Sequence, residues 1–269
     1  MAGFRDRSTD VVDIRFVPHP AVTVVVDLRH EILIAEVDGR ERRGSVAAGL
    51  GPCDARFCGE RNRDFECLQV RLSPVIAHAV LRDSGELSGT VVAFDDLWGR
   101  DASRIQEQLC AAASWDDRFA LVETALAQRY EAGGAVDPEV AFAWRRMVAS
   151  RGRIRVERLA SDCGWSRKRL WSRFGSQIGV TPKHAAQLIR FDHAAHRLAA
   201  GQSAALVAAE TGYVDQSHLH RDVRTFAGMT PTAIAVTPWL AVDDVAWPSG
   251  TFVQESRSQQ RREWIHDCS

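Results

Sequence analysis

Apolar positions in the carboxy-terminal half recur three and four apart, and they do so in two nearly parallel sets. In the first, Val156, Leu159 and Ala160 precede Gly164-Trp165-Ser166, Leu170 and Phe174, followed by Gly179-Val180-Thr181-Pro182. In the second, Leu206, Val207 and Ala209 precede Gly212-Tyr213-Val214-Asp215, Leu219 and Val223, followed by Gly228-Met229-Thr230-Pro231. Each set predicts two helices joined by a tight turn. A glycine able to take φ > 0 stops the first helix, and Ser166 or Asp215 caps the second. Leu170 and Phe174, like Leu219 and Val223, are four apart and share one buried face, which leaves the opposite face of each second helix free.

Between the sets, Leu188, Ile189, Phe191, Ala195 and Leu198 form one stripe behind Pro182, with Gly201 just past its end. The stripe predicts a continuous helix over 182–200. About nineteen residues at ~1.5 Å each span roughly 28 Å, close to the ~34 Å between successive major grooves on one face of B-DNA.

Upstream the period shortens to two. Segments at Val22–Asp27, Glu31–Val37, Ser45–Ala48, Ala55–Cys58 and Glu66–Leu72, split by turn residues such as Asp38-Gly39 and Gly51-Pro52, predict a small antiparallel β unit. Pro74 opens a short helix carrying Val75, Ile76, Ala79 and Val80. After Trp98-Gly99 the helical period returns, with Ile105, Leu109 and Ala112 on one stripe. Phe119, Leu121, Val122, Ala125 and Leu126 lie on another, behind Ser114 as a cap. Gly133-Gly134 reads as a linker, and Asp137-Pro138 starts a further helix over 138–150. Residues 1–13 are polar and read as frayed; for the tail after Pro238, packing and disorder both stay open. The expected fold class is α+β. A small β-rich amino-terminal domain with flanking helices (1–135) precedes an all-α domain of two helix-turn-helix units joined by a connecting helix (136–236), and a tail (237–269) follows.

Composition adds little until it is read by segment. The 269 residues are 45% apolar and 26% charged, ordinary for a soluble protein of two domains. No apolar run approaches the ~20 residues of a spanning helix, and the start Met-Ala-Gly-Phe-Arg-Asp lacks an apolar signal region, so a cytoplasmic location is expected. The net charge of −1 hides segregation. Residues 151–200 carry eleven Lys and Arg against three acidic residues, a local +8. Such an excess, coinciding with the two helical sets, is the electrostatic footprint of a phosphate-contacting element.

With Leu170 and Phe174 inward, Arg167, Lys168, Trp171 and Ser172 lie on the outward face of the first candidate reading helix. The equivalent set on the second is Gln216, Ser217, His220 and Arg221. Arg and Lys donate to guanine or phosphate, Gln matches adenine, Ser serves either partner, and Trp171 either stacks on a thymine methyl or packs on a neighbouring helix. Arg190, on the connecting helix, reads as a phosphate contact or a solvated charge. His218 and His220 fall on different helix faces, and His193 and His196 lack companions at metal spacing, so no metal site is assigned. No Gly-x-Ser-x-Gly elbow or phosphate-binding glycine loop is present, so neither catalytic residues nor a cofactor are assigned and the chain reads as a non-enzyme. The six cysteines form no Cys-x-x-Cys pair and read as reduced thiols, with Cys53, Cys58 and Cys67 close enough in sequence to leave a metal or redox cluster open.

The run Ala209-Glu-Thr-Gly-Tyr-Val-Asp-Gln-Ser-His-Leu-His-Arg221, followed by Phe226-Ala-Gly-Met-Thr-Pro231, resembles the second helix-turn-helix of AraC/XylS-type transcription regulators; the resemblance covers roughly 152–236. It implies a bacterial regulator that binds double-stranded DNA. The first copy departs from the family pattern, which often places Arg two residues after the Leu; this chain has Ser172 there and offers Arg173 instead. Phe65–Pro74, Val92–Gly99 and the helical run to Arg129 more loosely resemble an amino-terminal domain found ahead of such regions, which implies a sensory or dimerising role, with a small-molecule effector or a homodimer as the partner. Two alternatives stand beside this. Some DNA-repair alkyl-transfer proteins carry the same DNA-binding region behind a zinc-held cysteine, and a regulator can instead answer to a protein partner with no small ligand.

Overall fold

The computed structural model describes residues 1–6, 12–15, 17–29, 32–35, 41–52, 56–59, 65–81, 84–234, 236 and 253–256. Its amino-terminal part is built on two antiparallel sheets. Strands β1 (Ala2–Asp6), β3 (Val22–Asp27), β6 (Val46–Ala48), β8 (Phe65–Leu72), β9 (Val91–Ala93) and β10 (Val253–Ser256) form a six-stranded sheet in the order β10-β1-β8-β3-β6-β9. Strands β2 (Val12–Arg15), β4 (Ile32–Ala35), β5 (Glu41–Arg43) and β7 (Arg56–Gly59) form a second, in the order β2-β7-β4-β5. The register places Val22, Val24 and Val26 opposite Leu72, Val70 and Leu68, so apolar residues pair across the strands on one face.

One expectation fails here, and one left open is answered in part. Within residues 1–13, read as frayed, the described stretches are ordered strands: Ala2–Asp6 pairs with Phe65–Gln69, and Val12–Arg15 pairs with β7. Part of the tail also joins the fold, because Val253–Ser256 pairs with β1. Strand pairing is made by backbone hydrogen bonds, which leave no apolar period in the sequence.

Helices α1 (Pro74–Val80), α2 (Phe94–Trp98), α3 (Arg100–Ala111) and α4 (Trp115–Ala132) cover the large sheet. Ser114 caps α4 by accepting the Asp117 N–H at 3.1 Å. Val24, Val70, Phe94, Trp98, Leu109 and Val122 line an apolar cavity of about 20 Å³, room for about one water molecule. At one end of this layer lies a buried polar cluster that periodicity does not signal. Glu66, 2% exposed, accepts from Arg118 at 2.6 Å and from Arg29 at 3.2 Å, and Arg118 also donates to the Leu109 carbonyl. Gly133, read as a linker residue, instead lies against α1, where a Cβ would run into the Ala79 carbonyl.

The remaining helices are α5 (Pro138–Ala149), α6 (Val156–Asp162), α7 (Arg167–Ile178), α8 (Pro182–Ala199), α9 (Ala204–Glu210), α10 (Gln216–Ala227) and α11 (Pro231–Ile234). They share one core with α8 at its centre, and Leu50 of the β layer is part of it. The amino-terminal layer meets α7 through α1 and a short 3-10 turn at Ser84–Leu87, and it meets α8 through His19. At the turn, two glycine backbones touch: a Cβ on Gly85 would stand 2.9 Å from the Ser176 carbonyl, and one on Gly179 would strike Gly85.

At the second contact His19 Nε2 lies 3.3 Å from Asp192, whose backbone carbonyl also meets His196 Nδ1 at 2.8 Å. Burial, with Arg71 and His196 nearby, holds the His19 pKa well below its ordinary 6.5. A histidine kept neutral in the fold but free to protonate when unfolded supplies stability that is complete above its unfolded pKa and declines as pH falls below it. Denaturation midpoints of the whole chain are therefore expected to be level above about pH 7 and to drop from about pH 6.5 downward. The drop should be smaller in His19→Gln, and equal drops in the two proteins would show that this contact does not titrate.

Candidate nucleic-acid interface

The two predicted turns form as the caps require. Gly164 sits at φ 66° after α6, and the Ser166 hydroxyl accepts the Arg169 N–H at 3.2 Å to open α7. Gly212 sits at φ 82° after α9, and the Asp215 carboxylate accepts the His218 N–H at 2.7 Å to open α10. Each helix then ends on a left-handed glycine, Gly179 or Gly228. Leu170, Phe174, Leu219 and Val223 are all fully buried. Their burial fixes which way each helix faces.

Arg167, Lys168, Trp171 and Ser172 on α7, and Gln216, Ser217, His220 and Arg221 on α10, are all exposed. Arg167 leans toward Glu157 at 3.4 Å, a pair so exposed that solvent screens it. Arg169 stacks over Trp165 at 4.5 Å, while Trp171 stays 38% exposed. On α10 the Gln216 and His220 side chains approach to 3.4 Å. Val214, 88% exposed in the turn ahead of α10, is an apolar side chain on the same end that the spacing argument passes over.

Two arginines do something other than the sequence suggests. Arg173, which the first copy offers in place of the family's Arg, is forked onto the Asp137 carboxylate at 2.6 and 2.8 Å, tying α7 to the start of α5. That guanidinium holds the Asp137 carboxyl down to about 2. Arg190 is neither a solvated charge nor a surface contact. Its side chain is 15% exposed, lies 3.5 Å from Asp222 of α10, and covers the Tyr213 ring at 4.8 Å, so it staples α8 to the second unit. Burial and the adjacent Asp222 push the Tyr213 hydroxyl pKa well up. Both pairings join residues more than thirty apart, beyond the reach of any local pattern.

Of the basic residues in 151–200, Arg158, Arg167, Arg173, Arg190 and Arg197 each have a carboxylate partner. Arg151, Arg153, Arg155, Lys168, Arg169 and Lys183 form no ion pair among the described residues. The surface charge is therefore concentrated on α7 and on the loop ahead of α6. Among the described residues no group of three or more His, Cys, Asp and Glu could hold a metal ion, and no helix is long and apolar enough to cross a membrane. Cys53 lies outside the described residues. Burial, with Asp27 and Glu66 alongside, pushes the Cys67 thiol pKa well up, which leaves it a poor nucleophile.

Residues 159–235 match the family described as a helix-turn-helix domain. This segment is an AraC-type helix-turn-helix domain. Among solved structures, ToxT from Vibrio cholerae is 9% identical with a TM-score of 0.50, covering 87% of this chain and 97% of its own. At that identity the likeness is one of fold. The carboxy-terminal domain of AraT, a response regulator from Geobacillus stearothermophilus, is 20% identical over 40% of this chain and 93% of its own, with a TM-score of 0.37. The AraC-like transcriptional activator CuxR is 15% identical over 61% of this chain and 64% of its own, with a TM-score of 0.28. No curated protein matches the chain.

The inward leucines of this AraC-type domain should act through folding. Leu170→Ala and Leu219→Ala are each expected to cost about 2 to 5 kcal/mol. Arg190→Ala, which strips a buried carboxylate of its donor, is expected to cost about 1 to 3 kcal/mol. Chemical denaturation measures all three. Wild-type stability in both leucine variants would mean that the helix faces are reversed.

Proposed function

We propose that the chain is a sequence-specific, DNA-binding transcription regulator that places α7 and α10 in two successive major-groove segments. The observation that carries this reading is the matched pair of capped helices, each with a fully buried seam and an exposed polar face, held apart by the single helix α8. Arg167, Lys168, Trp171 and Ser172 read or anchor one segment, and Gln216, Ser217, His220 and Arg221 the other. Arg221 suits a bidentate contact to guanine and Gln216 one to adenine. Residues 136–236 are the reading domain, and 1–135 form a regulatory domain that answers to a small effector or to a second copy of the chain. Working on DNA places the protein in the cytoplasm.

Selection of bound sequences from random duplexes tests the reading. It is expected to return one site with two half-sites about one helical turn apart. If about six phosphates are neutralised, as the number of unpaired cations suggests, log K should fall against log salt with a slope near −5. Equal affinity for every duplex, or a flat salt response, removes the proposal.

Within that site Arg221→Ala should cost about 1 to 3 kcal/mol on the selected sequence and relax the preference at one base pair. Competition between the selected duplex and its single-base variants measures this. Retention of every wild-type base preference would take Arg221 out of the readout.

A further inference from the structure

After α5 the chain turns back through two consecutive left-handed residues, Arg151 at φ 53° and Gly152 at φ 70°. The turn satisfies the end of the helix, since Arg151 N–H donates to Val148 and Gly152 N–H to Met147, both at 2.9 Å. Gly152 is required there, because a Cβ would run into the Ala186 carbonyl of α8. Position 151 has no such requirement for its side chain. Left-handed caps favour Gly or Asn, and among the described residues Arg151 is the one non-glycine at positive φ. A strained residue kept against that preference points to use of the side chain.

The Arg151 guanidinium lies 3.2 Å from His193 Nε2 on α8. Arg153, two residues on, runs along Gly212, its Cδ 2.9 Å from where a Cβ on that glycine would stand. His193 is half-buried, and burial together with Arg151, Arg197, His196 and Arg153 depresses its pKa. Arg197 is answered by Glu210, whereas Arg151 and Arg153 have no ion-pair partner among the described residues. Like charges so gathered repel one another until an anion enters. Gly212 opens the turn into α10, whose first residues, Gln216 and Ser217, project outward. A reading helix that enters a groove by its amino-terminal end brings the flanking phosphates beside that turn.

We propose that Arg151 and Arg153, backed by His193, clamp one DNA backbone phosphate beside the second reading helix. The clamp fixes register and carries no sequence information. It rests on the DNA-binding reading above. Arg151→Gly supplies the residue the turn prefers while removing the guanidinium, so its melting temperature should equal or exceed that of the wild type. Its affinity should fall by the same factor on the selected site and on random duplex, roughly 3- to 10-fold. Its salt slope should become less negative by about 0.9. Arg151→Lys, which keeps the charge in the same strained turn, should retain most of the affinity.

Wild-type affinity and slope in Arg151→Gly overturn the clamp, and so does a change in base preference. Inorganic phosphate that raises the melting temperature of the wild type but not of Arg151→Gly, with the DNA salt slope unaltered, would assign the site to free phosphate and end its role on DNA. Failure of the wild type to bind any duplex would instead end the DNA-binding reading itself, and the clamp with it.

Discussion

The burial of α8 is the constraint on which the carboxy-terminal half depends. Pro182, Ala185, Ala186, Leu188, Ile189, Phe191, Ala194, Ala195 and Leu198 are all buried along its eighteen residues, so it is a core element as well as a connector. Helices α7 and α10 both pack on it, as do α5, α9 and α11. Small residues at 185, 186, 194 and 195 let its neighbours approach closely, and Phe191 stacks on Phe226 of α10 at 5.0 Å. A helix packed on so many partners cannot bend or slide independently of them. The separation of the exposed faces of α7 and α10 thus becomes a property of one packed core, where side chains interlock at high density.

Much of this half is legible in the sequence because its determinants are local. The stripe Leu188, Ile189, Phe191, the caps Ser166 and Asp215, and the glycines that end each helix all lie within a turn or two of what they control. Gly152 and Gly133 are different. Both are needed because a distant backbone comes close, which a single chain read in order does not announce. The same holds for Arg173 and Arg190, whose partners Asp137 and Asp222 sit on other helices. Counting charge along 151–200 finds the basic segment correctly but cannot say which cations are already answered.

The amino-terminal layer was less legible for a related reason. Strands Val22–Asp27 and Phe65–Leu72 carry β-branched and apolar residues, since they lie in the middle of the large sheet and bury side chains. Strand Val253–Ser256 at its edge and strand Ala2–Asp6 beside it carry no alternating apolar run, and almost the full length of the chain lies between them. The cluster of Asp27, Glu66, Arg29 and Arg118 is likewise assembled from β3, β8 and α4 and from the residues between them, so no motif of fixed spacing contains it.

The glycine seam at Gly85 and Gly179 has a mechanical consequence. Bare backbone against bare backbone leaves no side chain to rotate out of the way, so the joint transmits displacement with little slack. It grips the far end of α7, whereas α10 packs chiefly on α8 and α9. A rock of the 3-10 turn would therefore tilt α7 more than α10 and alter the angle between them. On the proposed two-segment reading, the half-site separation that the chain fits best would for that reason be a trait of the entire chain, and a fragment cut to residues 136–236 would be free to settle on a different one.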